Sequence, residues 1–408
     1  METDADTLAA PCDDRAGRAS TPPEEAGALL RLLACGGALR PRQTLLEQAG
    51  NATAALAAGR SAWRACGLTA PQIASLSGAA PAGEAATLDW LQAPRHHMIG
   101  WHHPDYPPLL RRIDRPPLAL FVAGDPSLLW HPAVAIVGSR RPTAGGRDTA
   151  AAFSRALARS GFAVASGMAA GIDTAAHQGC LDVGGATVAV LGTGPDVPYP
   201  RGNTALHARI VETGAVVSEH LPGTGPHKAH FPTRNRILAG LGLGTVVVEA
   251  ALRSGALITA RLAAESGREV FAVPGSIHNP MARGCHRLIR DGAALVEGVD
   301  EVIAALAPMA AKLAGDLRRR LGALEQAPHA PTSDGHAGIT PPQPPGLADS
   351  CDDLDHKKLW VALGHDPTGM DELVERSGLT AAQVSSMLLL MELDGRVTVQ
   401  HGRYFRSH

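Results

Sequence analysis

The sequence predicts an α/β core with a doubly wound, Rossmann-like parallel sheet, an N-terminal helical domain and a C-terminal winged-helix domain. Three observations carry this expectation. Between residues 134 and 273, six short apolar runs alternate with helical patterns, the signature of repeated βαβ units. Before them, residues 24–92 are rich in Ala and Leu and broken at Gly36-Gly37, Gly50 and Gly67, the pattern of a small helical bundle. After them, residues 352–408 read as three helices followed by a hairpin, the winged-helix order.

Composition bounds these readings. At about 150 residues per domain, a chain of 408 residues allows two or three domains. With 45% hydrophobic and 19% charged residues it can build a core. A net charge of −2 excludes a histone-like basic protein. Gly 45 and Pro 31 are high, yet no collagen period accounts for them. The six cysteines, Cys12, Cys35, Cys66, Cys180, Cys285 and Cys351, form no C-x-x-C pair. That argues against a disulfide framework or a zinc ribbon and for a reducing cytoplasm. The start, Met1-Glu2-Thr3-Asp4, is acidic and lacks an apolar h-region, so no signal peptide is expected. No apolar run is long enough for a membrane span. Aromatic residues make up only 3% of the chain, which gives weight to each one at a motif position.

The elements follow in order. Residues 1–23 are small and polar and read as a disordered tail. Leu118 to Val122 has strand length. The core strands are Val134–Val137, Phe162–Ala165, Thr187–Leu191, Ala215–Ser218, Thr245–Val248 and Val270–Val273. Helical patterns fall at Gly146–Ser160, Asp173–Val183, Asn203–Glu212 and Ala256–Ser266. These define a core domain over 100–305. Residues 306–350 read as a charged helix and a proline-rich linker. In the tail, Thr380 can cap a third helix that stops at Asp394-Gly395.

Ligands of open α/β sheets bind beyond the carboxyl ends of the strands. Gly138-Ser139-Arg140, Ser166-Gly167 through Gly171, Gly192-Thr193-Gly194 and Pro274-Gly275 all follow strands. Glycine lets backbone approach a ligand, bare N–H groups attract anions, and Arg140 adds a forked cation. The edge therefore points to phosphates. A nicotinamide dinucleotide site needs G-x-G-x-x-G, and a P-loop needs G-x-x-x-x-G-K-[ST]; neither occurs here. The long loop His227-Lys228-Ala229-His230-Phe231-Pro232-Thr233-Arg234-Asn235-Arg236 interleaves cations with one Phe, which suits either a single-strand surface or a packed Phe among solvated arginines. Residues 131–300 hold sixteen Lys/Arg against twelve Asp/Glu, a balance of +4, and fifteen of the cations are Arg. Residues 352–408 hold six against nine, a balance of −3. A duplex-reading winged helix presents cations to phosphates, so this one points to a protein partner or to no tight contact. His96-His97 and His102-His103 lack metal-ligand partners and read as a solvated loop. Glu219 and Glu249 end strands and admit either general-base or structural roles. Asp173 reads as a helix cap. No cofactor, metal or catalytic residue is expected.

The ordered motifs resemble those of the DNA-processing protein A family, DprA or Smf, over about residues 100–305. They are His103-Pro104-Asp105-Tyr106-Pro107, Val137-Gly138-Ser139-Arg140, Ser166-Gly167 with Gly171-Ile172-Asp173 and His177, and Ala189-Val190-Leu191-Gly192 to Asn203. Then come Ser218-Glu219, Phe231-Pro232-x-Arg234-Asn235-Arg236, Val248-Glu249-Ala250, Ser254-Gly255, Val273-Pro274-Gly275 and Leu288-Ile289-x-x-Gly292-Ala293. The resemblance implies a non-catalytic, dimeric binder of single-stranded DNA that protects incoming DNA in natural transformation and loads RecA recombinase. It implies DNA contacts at Gly138, Ser139, Arg140, Ser166, Gly167, Gly171, Lys228, Phe231, Arg234, Asn235 and Arg236. At Cys285-His286 the family usually has Asn in the second position, which makes His286 a variant contact. For residues 24–92 it implies a SAM or helix-hairpin-helix kind of bundle. The alternative is an enzyme resembling the lysine-decarboxylase-like nucleotide phosphoribohydrolases, on the strength of Gly244-Thr245-x-x-x-Glu249 without the preceding Pro-Gly-Gly.

Overall fold

A computed structural model describes residues 21–325, 354–363, 367–400 and 403–406. Most of the expected N-terminal tail and the proline-rich linker lie outside the described residues. The chain forms two compact units, one carrying the large sheet and the other the C-terminal elements.

The first unit opens with α1 (Pro23–Ala34), α2 (Leu39–Ala49), α3 (Ala52–Ala57), α4 (Gly59–Ala65), α5 (Ala70–Leu76) and α6 (Glu84–Trp90). Then come β1 (His96–Gly100), α7 (Pro108–Arg111), β2 (Ala119–Gly124), β3 (Ala133–Val137), α8 (Ala144–Arg159), β4 (Ala163–Ser166), α9 (Ile172–Leu181), β5 (Thr187–Val190), α10 (Thr204–Thr213) and β6 (Ala215–Ser218). The unit continues through α11 (His230–Leu241), β7 (Gly244–Val247), α12 (Gly255–Glu265), β8 (Glu269–Ala272), α13 (Arg283–Arg290), β9 (Ala294–Leu295) and α14 (Val299–Glu325).

The nine strands run in the order β1-β2-β6-β5-β4-β3-β7-β8-β9. From β6 to β9 all neighbours are parallel, as the βα alternation predicts. The winding goes outward from β3 through β4, β5 and β6, then returns to β7 on the other side of β3. The switch point, where a crevice opens in such sheets, lies between β3 and β7. Along β3 the side chains alternate faces: Ala133, Ala135 and Val137 join the core under α11 and α12, whereas Val134 and Ile136 join the one under α8 and α9. Burial on both faces explains why the strands read as continuous apolar runs.

Two features depart from expectation. β1 and β2 add an antiparallel edge, with β2 paired to both β1 and β6. The histidines expected in a solvated loop are therefore structural: His97 sits in β1 and is buried, and His102 bonds Glu25 of α1 at 2.9 Å. The helical bundle shares one core with this edge, where Leu29, Leu32, Leu46 and Trp63 pack with Met98, Leu118 and Phe121.

The second unit holds α15 (Leu354–Leu363), β10 (Thr368–Gly369), α16 (Met370–Ser377), α17 (Ala381–Leu393), β11 (Val397–Gln400) and β12 (Arg403–Arg406). Gly378 ends α16 in the left-handed region (φ 68°), and Thr380 with Gln383 forms a capping box on α17. The strands pair in the order β10-β12-β11 over a core of Leu359, Leu363, Leu373, Val384, Leu388 and Val397. This is the winged helix read from the sequence.

Candidate nucleic-acid interface

The glycine loops converge at the carboxyl edge. A side chain on Gly138 would strike Ile172 at 2.7 Å and the Glu249 carbonyl at 2.8 Å, so only glycine lets β3 run past the β7 loop. Gly171 has φ 89°, and a Cβ there would collide with the Ser139 carbonyl. Ser139 is buried; its hydroxyl accepts from the Arg141 amide at 3.1 Å, and its carbonyl accepts from the Ile172 amide at 3.1 Å. These bonds fold the turn so that Arg140 projects into solvent, with its guanidinium 6.0 Å from the Phe231 ring centroid. Phe231 is half-buried, and Tyr199 lies against it at 5.2 Å. Lys228 is exposed in the loop before α11.

The loop expected over 227–236 is shorter than predicted, because α11 starts at His230. Pro232 falls in its first turn, where a missing N–H costs no helical bond. Helical spacing then separates residues that a loop would have presented together. Arg234 is 5% exposed and lies beneath the rim. It donates from Nη1 to the Val190 carbonyl at 2.6 Å, and its Nε has no partner. A side chain on Gly167 would collide with its guanidinium. Burial lowers its pKa, while the nearby Asp173 carboxylate opposes the shift. Asp173 does not cap its own helix. It accepts from the Gly167 and Ala169 amides at 3.1 and 3.2 Å and so holds the β4 loop. Its pKa is raised because burial outweighs Arg234 and those amides.

Other predicted contacts are also engaged by the protein. The Ser166 hydroxyl is fully buried and donates to the Ile136 carbonyl at 2.7 Å, a strand-to-strand tie. Arg236 grips Glu219 with two bonds, 3.0 and 2.6 Å, so its charge is neutralised within the fold. The Asn235 amide is 3.5 Å from the Gly255 carbonyl, between α11 and α12. His286 stands on α13 with Nε2 3.0 Å from the Gly275 carbonyl in the loop after β8. The structure thus brings Arg140, Phe231 and Lys228 to the accessible edge and places Ser166, Arg234 and Arg236 in supporting positions. The sequence reading missed Tyr199 as a neighbour of Phe231. Its place in the Tyr199-Pro200 pair within the Gly192–Asn203 motif was the available signal in a chain so poor in aromatics.

Glu219 is held by Arg236, and the Glu249 carboxylate accepts from Asn279 at 3.1 Å. Gly244 and Thr245 lie inside β7 with Thr245 buried, so this glycine belongs to a strand and not to a loop. Among the described residues, no cluster of His, Cys, Asp and Glu is placed to hold a metal ion, and no helix is long and apolar enough to cross a membrane.

Sheet, edge and C-terminal module together define a doubly wound α/β protein with glycine-rich loops at its carboxyl edge and an appended winged helix. The family described as DNA recombination-mediator protein A matches residues 97–307, and the DprA winged helix domain matches residues 340–403. The chain belongs to this DprA/Smf family and so to the DNA-processing recombination mediators. It is 40% identical over 321 residues to Protein Smf of Synechocystis, covering 74% of this chain and 78% of that protein. It is 47% identical over 199 residues to DNA processing protein DprA of Streptococcus pneumoniae, covering 49% and 70%. The X-ray structure of the latter superimposes with a TM-score of 0.61 at 36% identity, covering 70% of this chain and 98% of that one.

Proposed function

We propose that this protein binds single-stranded DNA at the carboxyl edge of its sheet, without catalysis, as a mediator that protects incoming DNA in natural transformation. The observation that carries this reading is the exposed Arg140 over the Phe231 ring, with Lys228 exposed in the loop that leads into the same helix. A forked cation grips the backbone, and an aromatic face takes a base. Gly138, Ser139, Gly167 and Gly171 shape that edge. Arg234, Ser166, Asn235 and Arg236 act on DNA through the loops they hold, and His286 extends the edge along α13. In this reading the protein works in the cytoplasm and hands the covered strand to RecA. It does so as a homodimer, for which the open edge of β9, with Leu295 exposed, offers a pairing surface.

The winged helix is not the DNA contact in this reading. Arg396 and Arg406 stack on Trp360 at 4.8 and 4.5 Å, Arg376 pairs with Glu372, and Arg403 bonds the Pro367 carbonyl. The unit is better suited to a protein partner. The deciding experiment compares oligo-dT with duplex DNA at two salt concentrations. Single strands should bind more tightly, with a steep salt dependence. Equal affinity for both forms would overturn the assignment. Incubation with a nucleoside monophosphate should release no free base.

A further inference from the structure

Among the described residues, the large apolar side chains left exposed are Tyr199, Leu252, Ile258, Ile277, Leu295 and Leu390. Tyr199 is the one aromatic in that group, at 41% exposure. Its ring centroid lies 5.2 Å from that of Phe231, with the planes tilted by 41°. Phe231 already carries Arg140 over its ring and is half-buried, so the more accessible face of the pair belongs to Tyr199.

The loop that presents this ring is fastened along its length. Thr193 Oγ1 donates to the Val197 carbonyl at 2.6 Å, and His207 Nε2 is 2.7 Å from the Pro195 carbonyl. The Asp196 carboxylate accepts from the Gly223 amide at 2.8 Å. Beyond the ring, the Asn203 amide donates to the Met168 carbonyl and to Thr174 Oγ1, both at 2.9 Å. An aromatic face held out by a fixed loop has already lost the conformational freedom that binding would otherwise remove.

We propose that Tyr199 is a base-stacking residue of this interface, and that with Phe231 it forms a two-ring platform for consecutive unpaired bases. The proposal rests on the reading of the carboxyl edge as a single-strand site and assigns it a second stacking position. Arg140 and Lys228 hold the backbone; Tyr199 responds to the bases themselves. The competing role is a cover that keeps water from Phe231.

The full chain with Tyr199→Ala, Tyr199→Leu and Tyr199→Phe separates these roles, with oligo-dT and an abasic oligomer of equal length as probes. Stacking of one base predicts about a ten-fold weaker oligo-dT affinity for Ala and Leu. Phe should retain wild-type affinity, and the abasic oligomer should bind all four proteins equally. The salt slope should not change with Ala, because no phosphate contact is lost. A Leu variant that binds oligo-dT as well as wild type, or an equal loss on the abasic oligomer, would overturn the proposal. If Arg140→Ala weakens binding and Tyr199→Ala does not, the platform alone fails. If neither does, the interface is misplaced and the platform fails with it.

Discussion

The accessible edge and the layer beneath it are built from the same motifs, yet they do different physical work. Arg140 and Arg234 are both arginines flanking glycine loops. One projects into solvent over Phe231; the other is sealed between the β4 and β5 loops with Asp173 nearby. A motif position therefore reports either contact or support, and burial tells them apart. Substitutions below the edge should be felt mainly in stability, and substitutions on it should weaken binding while the fold stays intact.

The largest effect is expected from Arg234→Ala. It removes the bond from a charged group to the buried Val190 carbonyl and one of the two arginines, Arg140 being the other, that offset the burial of Asp173, which should cost about 3 kcal/mol. Chemical denaturation would read the loss, and a wild-type midpoint would break the distinction drawn here. A second test of the lower layer is acid. Thr187 donates its hydroxyl hydrogen to the Val164 carbonyl at 2.7 Å, so the Nδ1 of His177, 2.7 Å from that hydroxyl, must carry the ring proton. Burial, aided by Arg234, pushes the His177 pKa from 6.5 down to about 3. The native state thus takes up fewer protons than the unfolded chain between those values. The stabilisation is complete above the ordinary imidazole pKa and fades as the pH falls. Between pH 7 and 5 the loss should be about 2 kcal/mol, and His177→Gln should flatten that dependence in denaturation curves.

On the accessible edge, Arg140→Ala and Phe231→Ala should each weaken oligo-dT binding by about ten-fold with unchanged melting temperature. Arg140→Ala should also reduce the salt slope by about 0.7. Fluorescence anisotropy at several salt concentrations would show whether the two residues act by charge and by stacking respectively. The smallest effect is expected from Arg236→Ala, about two-fold or less in affinity, because Glu219 already neutralises that side chain. A loss as large as that of Arg140→Ala would move Arg236 from the supporting layer to the edge.

The sheet was legible from the sequence because the strands are short and apolar, a pattern produced by burial on two faces, and several of them run into glycine turns. The winged helix was legible for similar reasons, with Thr380 and Gly378 marking helix ends. The edge loops were placed correctly, but the direction of side chains within 227–236 was not. Pro232 reads as a loop residue until the first-turn exception applies. The partners that bury Arg234 come from strands far upstream, which periodicity cannot pair with it. The β1 edge was missed because His96-His97 disrupts the apolar pattern of a strand, although His97 faces inward.

The common interior of α1–α6 with β1 and β2 makes the N-terminal region a structural half of the molecule's flank. Phe121 and Met98 are buried in one cluster with apolar side chains of helices encoded before residue 92. A chain begun at residue 93 would expose a greasy wall and self-associate, so shortened versions of this protein should be cut elsewhere.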